Sequence, residues 1–463
     1  MPQLHDRETF TAALRRAVGL VSAPSEDILP LLGRIPDLAS LASLPEGTPV
    51  WIRADLDVAD RDGVIGDDPR LAGLHETLAF GRRQGWRMLL IGHRGRKPDM
   101  TLEYVRQKLR ATEEGCGPFI QDWFDEREET LSGIAIKAIE GLKPGHFLVF
   151  ENVRRYAFET RLWKASEDTL PEIAHDFERL ASAFPQGATV YVNDAIASGN
   201  RDFSTTALPL AMGRVALGAF TRWELSEHVA RAREAGLVSF SGLKLEKLKT
   251  LHGIVLQGRV ERILAGGSLA MALLAARGAL EGKDVSIGAA GKAEHRDAKT
   301  YVPPSAIQNG RQLLQDATER GVDVVLPIDF VLEDGSVVET IPDDAWQRDI
   351  GPATRRLFDE KARAWAEATD RKVAFHNGVM GQFEVSTFAA GTEALVATLV
   401  ELQAQGVDVY VGGGEGRAAL ERFASLDAIT HAFTAGGTIL KCLAGRPLPF
   451  LVALAEQAAP DPA

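Results

Sequence analysis

One recurring unit constrains this chain more than anything else. A short apolar, β-branched run empties into a cluster of glycines or polar residues, and a helical stretch follows before the next run. Eleven such runs read as strands, over residues 50–58, 87–93, 146–153, 189–195, 237–242, 261–267, 284–288, 323–332, 372–378, 407–414 and 430–436. Helical stretches fill most gaps, including 71–84, 171–184, 223–235, 245–258, 352–369 and 392–405. Strands alternating with helices indicate βαβ units and parallel sheets. Eleven strands exceed one open sheet of ordinary size. The expected fold class is therefore α/β, with two doubly wound, Rossmann-like parallel-sheet domains joined by a hinge helix at 223–235. The expected division is an N-terminal extension over 1–37, a first domain over 38–222, a second over 223–445, and a tail over 446–463 that packs back on the body.

Composition narrows the partners. The net charge of −12 offers no bulk basic field for nucleic acid or an anionic membrane, so small molecules are the expected ligands. No apolar run approaches the roughly 18 residues of a membrane span. Asp6 and Glu8 interrupt the N-terminal segment, which argues against a leader peptide and for a short amphipathic helix over 9–20. Two cysteines, Cys116 and Cys442, suggest neither a disulfide framework nor a zinc site; both are expected to be buried, in a cytoplasmic protein.

The polar clusters sit where each strand ends: ADLD, GHRGR, ENVRR, NDAIASGNR, SGLK, AGG, HNG and GGGEG. In doubly wound sheets ligands bind at that edge. The first half offers Arg70, His93, Arg96, Arg154 and Arg201, and the second offers glycines, Lys244, Asn377 and Glu384. Any one of these arginines reads most simply as a solvated surface residue. Four in matching loops of an acidic protein read as a site for a small polyanion.

The stretch VDVYVGGGEGR over 407–417 leads a strand into Gly412, Gly413 and Gly414, with a helical run beginning at 418. Backbone N–H groups there, backed by a helix dipole, suit a phosphate. Glu415 beside them suits a cation that accompanies it. A tight turn in which the glycines only relieve crowding explains the triplet equally well.

At these residues the chain resembles the phosphoglycerate kinase family, from about Leu38 to Leu454. The landmarks follow the family's order: WIRADLDV with DDPR, IGHRGRKP, VFENVRRY, YVNDAIASGNR, SGLKLEKL, VVLPIDFVLEDG, IPDDAWQRDIGP, FHNGVMGQFE, VYVGGGEGR and AFTAGGT. The resemblance implies 3-phosphoglycerate on the first domain, MgATP on the second, and a hinge that closes the cleft. The implied reaction is reversible phosphoryl transfer between 1,3-bisphosphoglycerate and ADP, as in glycolysis, gluconeogenesis or carbon fixation, by a monomer. Carried over residue by residue, Asp55 would hydrogen-bond the acid's hydroxyl, with Asp57 in the place of an Asn. His93, Arg96, Arg154 and Arg201 would hold the acid's phosphate and carboxylate end. Arg70 and Lys244 would flank the transferring group, with Gly413 and Gly436 at the catalytic centre. Lys247, Gly266, Asn377, Glu384, Gly412, Gly414 and Glu415 would serve the nucleotide, with Glu415 on Mg²⁺ and Glu384 on the ribose.

The nucleotide half departs from the family pattern. Leu248 stands where a second lysine is usual; Lys247 shares its helix face with that role better than Lys249, which points about 100° away. Ala265 interrupts a glycine run, Val379 replaces a proline, Glu415 an aspartate, and Gly416 a hydroxyl residue. Asp202 puts a negative charge beside Arg201 unless it turns to solvent. A phosphoglycerate kinase is the first expectation. A non-catalytic relative that binds phosphoglycerate, and a kinase for another small acid, are the alternatives.

Overall fold

The structure is a computed structural model that describes residues 7–20, 28–66, 68–184 and 189–458. The chain divides into two compact units, Met1–Glu227 with Arg446–Ala463, and His228–Gly445. The border falls inside a helical stretch, Ala219–Trp223 continuing through the wider turn Glu224–Val229 to Ala230–Ala232, rather than beside a uniform helix over 223–235.

Numbering only the strands of the two large sheets, the first unit holds β1 (Pro49–Ala54), β2 (Arg87–Ile91), β3 (Cys116–Ile120), β4 (Phe147–Phe150), β5 (Val190–Asp194) and β6 (Arg214–Leu217). They pair in the order β6-β5-β1-β2-β4-β3, all parallel. β1, β2, β4 and β5 are buried along nearly their whole length, which is why they read as continuous apolar runs. One face packs on an aromatic cluster in which Trp51 meets Phe150 and Phe184, and Trp123 meets Phe150 and Tyr156. Helix Pro449–Ala458 belongs to this unit, where it meets helix Arg7–Ala17 and pairs Glu456 with Arg16 at 2.5 Å.

The second unit repeats the plan with β7 (Leu237–Phe240), β8 (Arg262–Ala265), β9 (Asp323–Val325), β10 (Val373–Asn377), β11 (Asp408–Gly412) and β12 (His431–Ala432). Their order is β9-β8-β7-β10-β11-β12, again all parallel. Each sheet reverses its winding once, between β1 and β5 and between β7 and β10. The crevice beyond the strand ends at such a point is where doubly wound sheets take ligands.

Several expectations fail for local reasons. Residues 284–288 form no strand; Gly288 opens a short 3₁₀ turn at φ 66. The run 323–332 is two strands in different sheets. Pro327 lacks an N–H to donate to a ladder, and Asp329 turns aside to cap helix Pro352–Ala368, accepting from Ala353 N at 2.8 Å and Thr354 N at 2.7 Å. The remainder, Phe330–Leu332, joins Val337–Val338 and Gln347–Ile350 in a small antiparallel sheet. The helix expected over 71–84 breaks at Leu74 into Pro69–Gly73 and His75–Arg83. Sequence reading missed both edge strands of the first sheet. β3 carries Gly117 and Pro118 and an irregular register, and edge positions tolerate what a central strand does not. Cys116 is only partly buried. Among the described residues no helix is long and apolar enough to cross a membrane.

Candidate functional site

In the first unit, loops after β1, β2, β4 and β5 converge on the switch point. Asp55 and Asp57 follow the end of β1 at Ala54, and their carboxylates reach the loops after its two neighbours, β5 and β2. Asp55 is buried; its Oδ2 accepts from Ala197 N at 3.3 Å, across the switch point, and its Oδ1 has no hydrogen-bond partner among the described residues. Burial raises its pKa to about 6, against the pull of Arg70 and Arg53. Asp57 Oδ1 accepts from Gly95 N at 2.6 Å, and its Oδ2 lies 3.5 Å from His93 Nε2. Burial works to raise its pKa, but the hydrogen bond from His93, the Gly95 N–H and Arg70 hold it well below the usual carboxylate range. Arg70 donates to the Asp57 carbonyl.

Arg154 follows β4 and donates from Nη1 to the Gly95 carbonyl at 2.6 Å. Its side chain is only 7% exposed, and its Nε is buried without a partner. Arg201 is partly buried, with Nη1 3.5 Å from the Ala165 carbonyl. Arg96 is exposed and makes no side-chain hydrogen bond among the described residues. Asp202 does not turn to solvent: it is fully buried, 4.0 Å from Arg154.

Sequence reading missed Arg53. This charged residue inside the buried strand β1 donates from Nε to Ser204 Oγ at 2.8 Å and from Nη2 to His93 Nδ1 at 2.7 Å. Ser204 in turn donates to Glu159, which is also fully buried. An arginine in a run of otherwise apolar strand residues was the available signal, because it demands an internal partner.

In the second unit, loops after β7, β8, β10 and β11 surround a cavity of 630 Å³. Met271, Ile287, Ala290, Trp346, Val379 and Met380 give it apolar wall, while Lys299, Arg348, Gln382, Glu384 and Glu415 give it polar rim. Gly378, at φ 103, lets the loops after β7 and β10 touch: a Cβ there would lie 2.3 Å from the Ser241 carbonyl. Met380 occupies the space a side chain at Gly266 would need, with Sδ 2.2 Å from the position of its Cβ. Ser241 Oγ is buried with no hydrogen-bond partner, another group the sequence did not single out.

Lys247 Nζ donates to Asn377 Oδ1 at 2.7 Å, and Asn377 Nδ2 donates to the Gly412 carbonyl at 2.7 Å. Burial lowers the Lys247 pKa, with Glu415 opposing and Lys244 adding to the shift. Leu248, the next residue, is fully buried. Lys244 is exposed and makes no side-chain hydrogen bond among the described residues. Gly413, at φ 86, caps helix Gly414–Phe423, which starts four residues earlier than expected. Glu415 therefore sits in that helix's first turn, exposed at the cavity rim. A Cβ on Gly436 would lie 2.8 Å from Gly413 Cα, so these two backbones touch. Gly416 is confined too, since a Cβ there would lie 3.0 Å from Val411.

Glu415 fits a magnesium ion carried in by a nucleotide. Its carboxylate accepts no hydrogen bond among the described residues, and no group of three or more metal-ligating side chains accompanies it. Mg²⁺ is commonly held in this way, by one or two carboxylates with substrate phosphates and water completing the shell.

Comparison with known proteins shows the family. The family model described as phosphoglycerate kinase matches residues 43–446. The chain is 29% identical over 429 residues to a phosphoglycerate kinase of Thermosynechococcus vestitus, covering 88% of this chain and 96% of that one. It is 29% identical over 426 residues to the cytosolic phosphoglycerate kinase 3 of Arabidopsis thaliana, covering 89% and 96%. Among solved structures, the phosphoglycerate kinase of Coxiella burnetii superposes with a TM-score of 0.69 at 24% identity, over 90% of this chain and 99% of that one. That of Pyrococcus horikoshii superposes with a TM-score of 0.71 at 23% identity, over 91% and 99%. At those identities the two structures speak for the fold alone.

Proposed function

The chain belongs to the phosphoglycerate kinase family, and on that premise we propose that its first unit binds 3-phosphoglycerate and its second binds ATP or ADP with Mg²⁺. The activity is reversible phosphoryl transfer between ATP and the carboxylate of the acid. The observation that carries the assignment of the first unit is a buried donor and a buried acceptor, both unsatisfied, in one constellation: Arg154 Nε and Asp55 Oδ1. Unpaired buried polar groups are costly. A ligand with an anionic end and a hydroxyl satisfies both.

The chemistry needs no general base. A carboxylate is already ionised at neutral pH and attacks the γ-phosphorus directly, while the bond from that phosphorus to the β–γ bridging oxygen breaks and ADP departs. What the chain must supply is alignment and positive charge. Arg70 faces the transferring group from the acid side. Lys247, on Asn377, takes the role of the lysine that Leu248 replaces, and Lys244 extends toward the phosphates. N–H groups at the start of helix Gly414–Phe423 add partial positive charge, and Gly413 and Gly436 let the backbone approach. Glu415 would hold the Mg²⁺ that accompanies the nucleotide, and that ion would supply neutralisation of negative charge there. Glu384 meets the ribose at the cavity rim. Asp57 favours a second reading, a kinase for a different small acid, because it keeps an ionised carboxylate in the acid half-site.

A coupled assay with ATP, Mg²⁺ and 3-phosphoglycerate tests the first reading. Turnover well above an Arg70→Ala control is expected, and turnover no higher than that control sinks it. Assaying a panel of small phosphorylated and dicarboxylic acids separates the second reading, which a marked preference for 3-phosphoglycerate rules out.

A further inference from the structure

Arg154 is held by two side chains whose pairing no known function of the chain requires. The Trp163 indole lies under its guanidinium, 5.2 Å from ring centroid to Cζ. The same indole donates its N–H to Asp202 Oδ1 at 2.7 Å. Asp202 is fully buried, and its Oδ2 accepts no hydrogen bond while standing 4.0 Å from Arg154 Nη2. Trp163 thus binds the carboxylate through its edge and covers the guanidinium with its face. Burial disfavours the Arg154 cation, and the Asp202 carboxylate works against that. Arg53 and Glu159 are buried here too, with Ser204 bonded to both; burial and the neighbouring Asp202 push the Glu159 pKa up to about 7, so Asp202 is the acid that faces Arg154 with its charge.

We infer that Asp202 is an internal counter-ion to Arg154. It holds the guanidinium in place when no ligand is bound, and it competes with the ligand's anionic group for that guanidinium. A negative group in a dry site repels an arriving phosphate or carboxylate as effectively as it steadies the arginine. Asp202 is therefore a positioning residue that lowers the affinity of the acid half-site, and Trp163 sets how much of its charge reaches Arg154 by tying up the other carboxylate oxygen. The inference rests on the reading of the first unit as an acid half-site.

The signs of two substitutions test it, with inorganic phosphate and 3-phosphoglycerate binding to the full chain measured by calorimetry. Asp202→Asn keeps the shape and an oxygen for Trp163 but removes the charge. Both anions are expected to bind about tenfold tighter, with a steeper loss of affinity as salt rises. Trp163→Phe keeps a ring over Arg154 but removes the N–H, so Asp202 turns more fully on the arginine and both anions bind more weakly. A merely structural Asp202 weakens binding in both variants. Equal or weaker anion binding by Asp202→Asn overturns the inference. If that variant does not fold, equal or tighter binding by Trp163→Phe overturns it. Wild-type turnover separates this outcome from the kinase reading. Turnover with equal affinities in all three proteins sinks the counter-ion and keeps the kinase. No turnover, with the opposite shifts still present, does the reverse.

Discussion

Arg53 Nη2 donates to His93 Nδ1 at 2.7 Å, and that bond sets the histidine's tautomer. A guanidinium has only donors. His93 Nδ1 must therefore accept, which leaves its proton on Nε2, the nitrogen facing Asp57 at 3.5 Å. Burial favours the neutral ring and outweighs Asp57. Arg53→Gln removes the fixed donor and leaves Glu159 without its cation. Unfolding free energy should fall by about 3–5 kcal/mol, the cost of breaking a buried pair. Nitrogen NMR of the imidazole should show a single Nε2–H form in the wild type and a mixture in the variant. A variant with the same tautomer and the same denaturant midpoint contradicts this arrangement.

Lys247 and Leu248 make a second contrast. Lys247 opens helix Lys247–Leu256 and reaches Asn377, while Leu248, one residue on, is fully buried among apolar side chains. Lys247→Met should lower kcat by about 10²–10³-fold, as for the loss of one preorganised charge at a reacting group. Lys249, which is exposed, should tolerate the same change with near wild-type kinetics. Restoring the usual lysine with Leu248→Lys should not raise activity. It forces an ammonium into the core and should cost several kcal/mol of stability. Steady-state kinetics on the three variants, with a urea curve for the last, checks the set.

The parts of this architecture that were legible share a physical cause. Central strands buried on both faces must be apolar throughout, so they stand out, and the polar clusters that end them mark the ligand edge. β3 and β6 were not legible because an edge strand is relieved of those demands. Asp329 turned a single apolar run into two strands by bonding Thr354 N in the first turn of a helix, 25 residues later, a partner no local pattern reveals. Buried Arg53, Glu159 and Asp202, with the half-exposed Trp163 on top of them, were invisible for the same reason: each is ordinary alone, and only their contacts make them a unit.

Stability should respond to acid through Asp55. Its folded-state pKa of about 6, raised by burial, lies above the 3.8 of a free aspartate side chain. The folded state therefore holds a proton more tightly than the unfolded chain does between those values. Stability from this group is fully present below about pH 4 and is lost as pH rises through 6. The loss amounts to about 3 kcal/mol. Asp194 and Asp349, each also near 6, move the same way, so only the difference between proteins isolates one residue. Asp55→Asn should show a smaller change in urea midpoint between pH 4.5 and pH 7 than the wild type. Equal changes contradict the assignment.

Gly436 and Gly413 test whether backbone approach matters to turnover. A methyl on Gly436 would meet Gly413 Cα at 2.8 Å and Gly413 N at 3.3 Å. Gly413 has little room to yield, since φ 86 with ψ 149 is a conformation few residues adopt, and it caps helix Gly414–Phe423. Gly436→Ala must therefore displace that helix start. Because transition-state contacts are more sensitive to small displacements than ground-state binding, kcat should fall by about 10²-fold while ADP affinity, measured by calorimetry, changes only a few fold. Gly437 supplies the control. A Cβ there meets nothing within 4 Å, so Gly437→Ala should keep wild-type kinetics. Equal losses in the two variants would assign the effect to the flexibility of the glycine pair and not to the contact between Gly436 and Gly413.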